Sequence, residues 1–151
     1  MTPIVQDVVH DLDRLRVVDA MTEGVLTCSL DTPLREVAGL MADQRVHCVV
    51  ACDADEPAGA LWGVVSDRDV VAAASARDID GQTASSAAAT PALTVAPDET
   101  LERAAQLLNE HAVAHLIVVL PPDGRPVGVL STLDVARALA DGAGTGERSG
   151  R

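Results

Sequence analysis

An eight-residue pattern occurs twice in this chain and constrains its fold more than any other feature. Gly63 to Val70 reads Gly-Val-Val-Ser-Asp-Arg-Asp-Val, and Gly128 to Val135 reads Gly-Val-Leu-Ser-Thr-Leu-Asp-Val. Both carry Gly, two apolar residues, Ser, two variable residues, Asp and Val. The apolar pair reads as the end of a buried strand. The Ser and Asp then fall at a strand-to-helix junction, where a hydroxyl or carboxylate caps the first turn. Such a junction leaves backbone N–H groups without partners and carries the positive end of a helix dipole, so an anion can sit there. The Asp follows the Ser by three residues and projects from the same junction. Two readings fit: a Ser for phosphate with an Asp for ribose hydroxyls, or an ordinary N-cap with a favourable first-turn Asp. Recurrence in matching contexts favours the first.

The contexts match along most of the chain. Val25 to Cys28 reads as a strand. Asp31-Thr32-Pro33 opens a helix, with Pro at its first position, and Leu34, Val37, Ala38 and Met41 mark its buried face. His47 to Cys52 and Leu61 to Val65 are short strands joined by a polar turn, and Asp67 to Ala76 is a helix. The order then recurs: strand at Leu93-Thr94-Val95, helix after Pro97-Asp98-Glu99-Thr100, strands at Val113 to Leu120 and Val127 to Leu130, helix from Thr132 to Ala140. Thr27 and Thr94, like Leu34 and Leu101, lie 67 positions apart, and Asp69 and Asp134 lie 65 apart. The shorter second hairpin accounts for the difference. The expected fold is therefore α/β: two β-α-β-β-α repeats packed sheet to sheet with pseudo-two-fold symmetry. A repeat of about 60 residues buries its faces poorly alone. The expected segments are an amphipathic N-terminal helix (1–16), repeat one (17–76), a linker (77–86), repeat two (87–140) and a disordered Gly-rich tail (141–151). A short helix is expected at Ala84 to Ala89.

Composition narrows the function. The net charge of -12 argues against nonspecific binding to nucleic acid or to anionic membranes. No segment approaches the roughly 20 apolar residues of a membrane span, and the N-terminus lacks the basic start and apolar run of a signal peptide, so the expected compartment is the cytoplasm. With no Phe or Tyr and one Trp, Trp62, the core is aliphatic. Cys28, Cys48 and Cys52 form no disulfide pattern and read as buried free thiols. A metal site from His47, Cys48, Cys52 and His115 matches no common zinc spacing. No nucleophile–base–orienter set and no Gly-Lys-Ser/Thr phosphate loop is legible, so the chain reads as no enzyme.

The doubled motif, the Asp19-Ala20-Met21-Thr22 entry and the Val46 to Asp53 strand together resemble a tandem pair of CBS domains, the cystathionine β-synthase-type repeat or Bateman module. The resemblance covers roughly Val17 to Leu139. It implies two clefts between the repeats that bind adenosine nucleotides in many members, and a flat homodimer. It implies that Asp69 and Asp134 meet ribose and that Ser66 and Ser131 face phosphate. It implies that Thr32, Val37, Val46, His47 and Cys48 line the cleft of Asp134. Glu99, Ala104, Val113, Ala114 and His115 would line that of Asp69. Many members place a phosphate-binding cation where Cys48 and His115 stand. Arg68 supplies one at the first motif, and Leu133 takes its place at the second. Glu99 would repel phosphate if it pointed inward. The clefts are therefore unequal, and the Asp134 cleft is favoured.

The implied function is a regulatory module that binds AMP, ADP or ATP, with S-adenosylmethionine and NAD ranked behind, and signals to a partner protein. No catalytic domain is attached, so the regulated activity is expected in another chain. The alternative is a ligand-free dimeric interaction scaffold in which Ser and Asp act only as caps.

Overall fold

The computed structural model describes residues 12–55 and 60–143. Its elements are α1 (Val17–Ala20), β1 (Thr22–Glu23), β2 (Thr27–Ser29), α2 (Leu34–Gln44), β3 (Cys48–Asp53), β4 (Ala60–Ser66), α3 (Asp67–Ser75), a 3-10 turn (Ile79–Gly81), α4 (Ala84–Ala87), β5 (Thr94–Val95), α5 (Leu101–Glu110), β6 (His115–Leu120), β7 (Arg125–Ser131) and α6 (Thr132–Ala143). The β-α-β-β-α order expected for each repeat is present twice, as β2-α2-β3-β4-α3 and β5-α5-β6-β7-α6. The chain separates into two compact units.

One unit comprises residues 25–93 with 123–126. Its sheet has the order β2-β3-β4. β2 runs parallel to β3, with Thr27 opposite Val50, and β3 runs antiparallel to β4, with Cys48 opposite Ser66. The periodic residues Leu34, Val37 and Met41 of α2 are buried against Val49, Ala51, Val65, Ala73 and Ala84. Burying each such Val or Leu contributes about 1.5–3 kcal/mol. A ladder irregularity next to Cys52 leaves Trp62 as the extra residue of β4. Trp62 is partly exposed, and its carbonyl accepts the Thr90 hydroxyl at 2.9 Å.

The other unit comprises residues up to 24, 94–122 and from 127 onward. Its sheet has the order β1-β7-β6-β5. β5 is parallel to β6, with Thr94 opposite Ile117, as β2 is to β3. Leu101, Ala104 and Leu108 of α5 are buried, as are Leu116, Ile117, Val118 and Leu130.

Each unit joins the entry segment of one repeat to the body of the other, and the joints correspond bond for bond. Val17 N–H donates to the Glu99 carbonyl at 2.9 Å, and 67 positions on Ala84 N–H donates to that of Thr32 at 2.8 Å. Val18 N–H reaches Pro97 O and Ser85 N–H reaches Leu30 O, both at 2.9 Å. Leu101 N–H meets Leu15 O, and Leu34 N–H meets Gln82 O. Thr22 pairs with Val129 on β7, and Ala89 pairs with Val64 on β4.

This pairing explains where the elements depart from the sequence expectations. α2 starts one residue late, with Pro33 at the N-cap and no side-chain cap from Asp31 or Thr32. The Gln82 carbonyl already receives the Leu34 N–H, so a side-chain cap is not needed there. α4 stops at Ala87 because Ala88 turns extended and delivers Ala89 to the β4 ladder. The expected linker (77–86) thus contains structure of its own. Val17–Ala20, not expected to be helical, is the counterpart of α4. α6 continues past Ala140 to Ala143, Gly142 being tolerated in a last turn. Of the expected N-terminal helix, residues 12–14 are helical, and residues 1–11 lie outside the described residues, as do 144–151 of the tail.

The glycine of each motif follows from the same joints. A Cβ on Gly63 would lie 2.5 Å from the Ala89 carbonyl oxygen, and one on Gly128 would lie 2.7 Å from that of Thr22 and 3.0 Å from Met21 Sδ. Neither backbone oxygen can yield without opening its ladder. Gly63→Ala and Gly128→Ala are each expected to destabilise the protein by about 1–3 kcal/mol. Gly39→Ala, in α2 with no atom within 4 Å of the added carbon, is expected to stabilise it by about 0.5–1 kcal/mol. Thermal or urea unfolding of the three variants checks the contrast.

Candidate functional site

The second motif lies where β7 runs into α6. Ser131 N–H donates to Asp134 Oδ2 at 2.8 Å, and Asp134 N–H donates to Ser131 Oγ at 3.1 Å, a reciprocal cap. Thr132 N–H is taken by the Ala114 carbonyl at 3.0 Å, just before β6. Asp134 is buried, at 8% exposure. Among the described residues its Oδ1 has only the Arg137 guanidinium, at 3.8 Å, too far for a hydrogen bond. Ser131 Oγ accepts but donates to no described group, so its proton is uncommitted. One oxygen of a largely buried carboxylate and a hydroxyl proton thus have no hydrogen-bond partner among the described residues at this junction.

The first motif is arranged differently at β4–α3. Ser66 N–H reaches Asp69 Oδ2 at 2.8 Å, Ser66 Oγ donates to the same oxygen at 3.0 Å, and Asp69 N–H returns to Ser66 Oγ at 3.3 Å. The hydroxyl proton that is free in Ser131 is therefore used internally in Ser66. Asp67 N–H meets the His47 carbonyl at 2.9 Å, and His47 Nδ1 lies 2.9 Å from Asp67 Oδ2. Both side chains are exposed, so the pair is worth roughly 0–1 kcal/mol. Arg68 is exposed beside them, and Asp69 is half-buried.

The other sequence-expected residues are distributed as follows. Thr32, Val37, Val46, His47 and Cys48 belong to the same unit as Asp69, and Val113 and His115 to the same unit as Asp134. The Thr32 hydroxyl lies 2.9 Å from Ser29 Oγ. Val37 has no exposed surface and packs in the core with Leu34 and Met41. Val46 is half-buried against that core, with its N–H on the Met41 carbonyl. Val113 and His115 are half-buried. Glu99 turns its carboxylate onto the Thr100 N–H at 2.9 Å. A groove of about 370 Å³ between α5 and α6, lined by residues including Leu108, Asn109, Ala112 and Val113, takes in Thr132 and Val135 of the second motif but not Ser131 or Asp134.

Two partners were given no site role in the sequence analysis. Arg137 meets Asp134 because three residues on a helix share a face; that spacing was the available signal. Asp67 finds His47 because β3 starts beside the end of β4, which no local pattern reveals.

The CBS-domain family model matches residues 17–76 and again 84–141. The chain belongs to the CBS-domain family. It is 31% identical over 119 residues to the CBS domain-containing protein YhcV of Bacillus subtilis (strain 168), covering 78% of this chain and 81% of that protein. Among solved structures it is similar to the CBS domain protein PAE2072 of Pyrobaculum aerophilum complexed with AMP. That match has 29% identity and a TM-score of 0.72, and covers 83% of this chain and 98% of that one. It is also similar to CBSX2 in complex with AMP, at 27% identity and a TM-score of 0.69, covering 83% and 96%. Both AMP complexes share the tandem CBS fold described above. No helix among the described residues of this CBS pair is long and apolar enough to cross a membrane.

Burial also sets the thiol chemistry of the first CBS repeat. It pushes the Cys48 thiol up from 9.0 to about 11, with the Asp67 charge adding to the effect, and it raises Cys28 and Cys52 as well. Little thiolate exists at pH 8, so Cys48 is expected to resist alkylation in the folded protein and to react on unfolding. A raised thiol pKa means that the folded state holds its proton longer than the unfolded chain. Stability is therefore expected to fall as pH rises from about 9 to 11, and not between pH 7 and 8. Mass-resolved iodoacetamide labelling and urea midpoints across that range check both.

Proposed function

We propose that this CBS pair is a regulatory module that binds an adenosine nucleotide at the second motif and relays its occupancy to a partner protein. The observation that carries the reading is the largely buried Asp134 carboxylate, whose Oδ1 is without a hydrogen bond among the described residues, beside an uncommitted Ser131 hydroxyl proton. No fully buried side-chain oxygen among the described residues lacks a hydrogen bond, so Asp134 Oδ1 reaches the surface, where a ribose diol supplies donors of the right kind. The complexes of PAE2072 and CBSX2 with AMP support the ligand class. Ser131 meets the 5′ side of the ligand, and Val113, which the resemblance assigned to the Asp69 cleft, lines the groove beside Thr132 and contributes an apolar wall. Homodimerisation and a cytoplasmic location belong to the same reading.

A second reading has one observation in its favour. At the first motif Ser66 and Asp69 satisfy each other through three hydrogen bonds, so there they act as caps. The module then carries one responsive motif, not two.

Differential scanning fluorimetry with AMP tests this. At a hundredfold excess over its dissociation constant, AMP should stabilise the protein by about 2.7 kcal/mol, seen as a rise of several degrees in the melting temperature. Asp134→Ala should abolish the rise and Asp69→Ala should retain it. No rise with AMP, or loss only in Asp69→Ala, would contradict the proposal.

A further inference from the structure

The ligand's phosphate content is set by how few donors the second motif has left for anions. A helix N-terminus attracts phosphate through N–H groups without partners. At α6 most of these are occupied from within. Ser131 N–H is on Asp134 Oδ2, Thr132 N–H is on the Ala114 carbonyl, and Asp134 N–H is on Ser131 Oγ. Leu133 N–H is the one first-turn donor with no partner among the described residues, and the Ser131 hydroxyl adds a second.

Cations are equally scarce there. The chain has no lysine; all 11 of its basic residues are arginine. Between Gly128 and Arg137 the only basic residue is Arg137 itself, and it sits 3.8 Å from Asp134 Oδ1. The position that holds Arg68 in the first motif holds the exposed Leu133 in the second. The net charge of -12 raises the energy of every further negative charge brought in. A donor pair at a helix end fits one phosphate or an uncharged 5′ group, and the motif Gly128 to Val135 holds no cation of its own for a β- or γ-phosphate.

We infer that the Asp134 motif selects an adenosine ligand whose 5′ substituent carries little or no negative charge, and discriminates against polyphosphates. This rests on the reading of Asp134 as the ribose contact. Recognition then comes from the ribose diol and the base, with the 5′ group held by a hydroxyl and one N–H.

Isothermal titration of the intact protein at low and at moderate salt, with 5′-methylthioadenosine, AMP and ATP, tests the inference. The expected order is 5′-methylthioadenosine tightest, AMP next, and ATP weaker than 5′-methylthioadenosine by about tenfold or more, with the gap narrowing as salt rises. ATP binding as tightly as 5′-methylthioadenosine, or more tightly, overturns it. If none of the three binds, the adenosine reading itself fails. Leu133→Arg places a cation where the first motif has one. It should tighten ATP about fivefold, the worth of one partly screened charge pair, and leave 5′-methylthioadenosine unchanged. An unchanged ATP affinity in that variant contradicts the inference.

Discussion

The structure depends on a backbone ladder that crosses between repeats. The entry segment of repeat one, Val17 to Thr22, is bonded to the body of repeat two, and Ala84 to Ala89 is bonded in the same way to the body of repeat one. Each last strand thereby gains a partner at its edge, which would otherwise present a row of unpaired N–H and C=O groups. The ladder requires a glycine where the crossing backbone lies closest, and that glycine opens each repeated motif. Three residues further on, the strand ends in the serine that caps the following helix. One constraint thus fixes both the fold and the position of the site.

The two junctions begin from the same plan and differ in how completely they satisfy themselves. In repeat one the serine hydroxyl closes on its aspartate, and His47 adds a contact to Asp67. In repeat two the aspartate is buried more deeply, and the hydroxyl proton and one carboxylate oxygen are left over. Duplication supplied two equal scaffolds. The two junctions differ at a few positions, with Ala114, Thr132 and Leu133 in repeat two where His47, Asp67 and Arg68 stand in repeat one.

Much of this was legible in the sequence because the repeat doubled every local signal. The apolar spacing at Leu34, Val37 and Met41 located α2, and its counterpart at Leu101, Ala104 and Leu108 located α5. The crossing of the entry segments was not legible. Four-residue helices such as Val17–Ala20 carry too few turns to show a period, and their partners lie 52 to 82 positions away. The fixed offset between Val17 and Ala84 was the trace available. At the site, the Ser–Asp spacing was readable. The use of nearly every helix-end N–H by neighbouring groups was not, because it depends on where the Ala114 and His47 carbonyls arrive in three dimensions.

The most direct test of the account is a crystal structure of the protein grown with AMP. The account predicts that the ribose 2′ and 3′ hydroxyls donate to Asp134 Oδ1 while Oδ2 keeps its bond from the Ser131 N–H. AMP bound with its ribose away from Asp134, or seated on Asp69 alone, would contradict it.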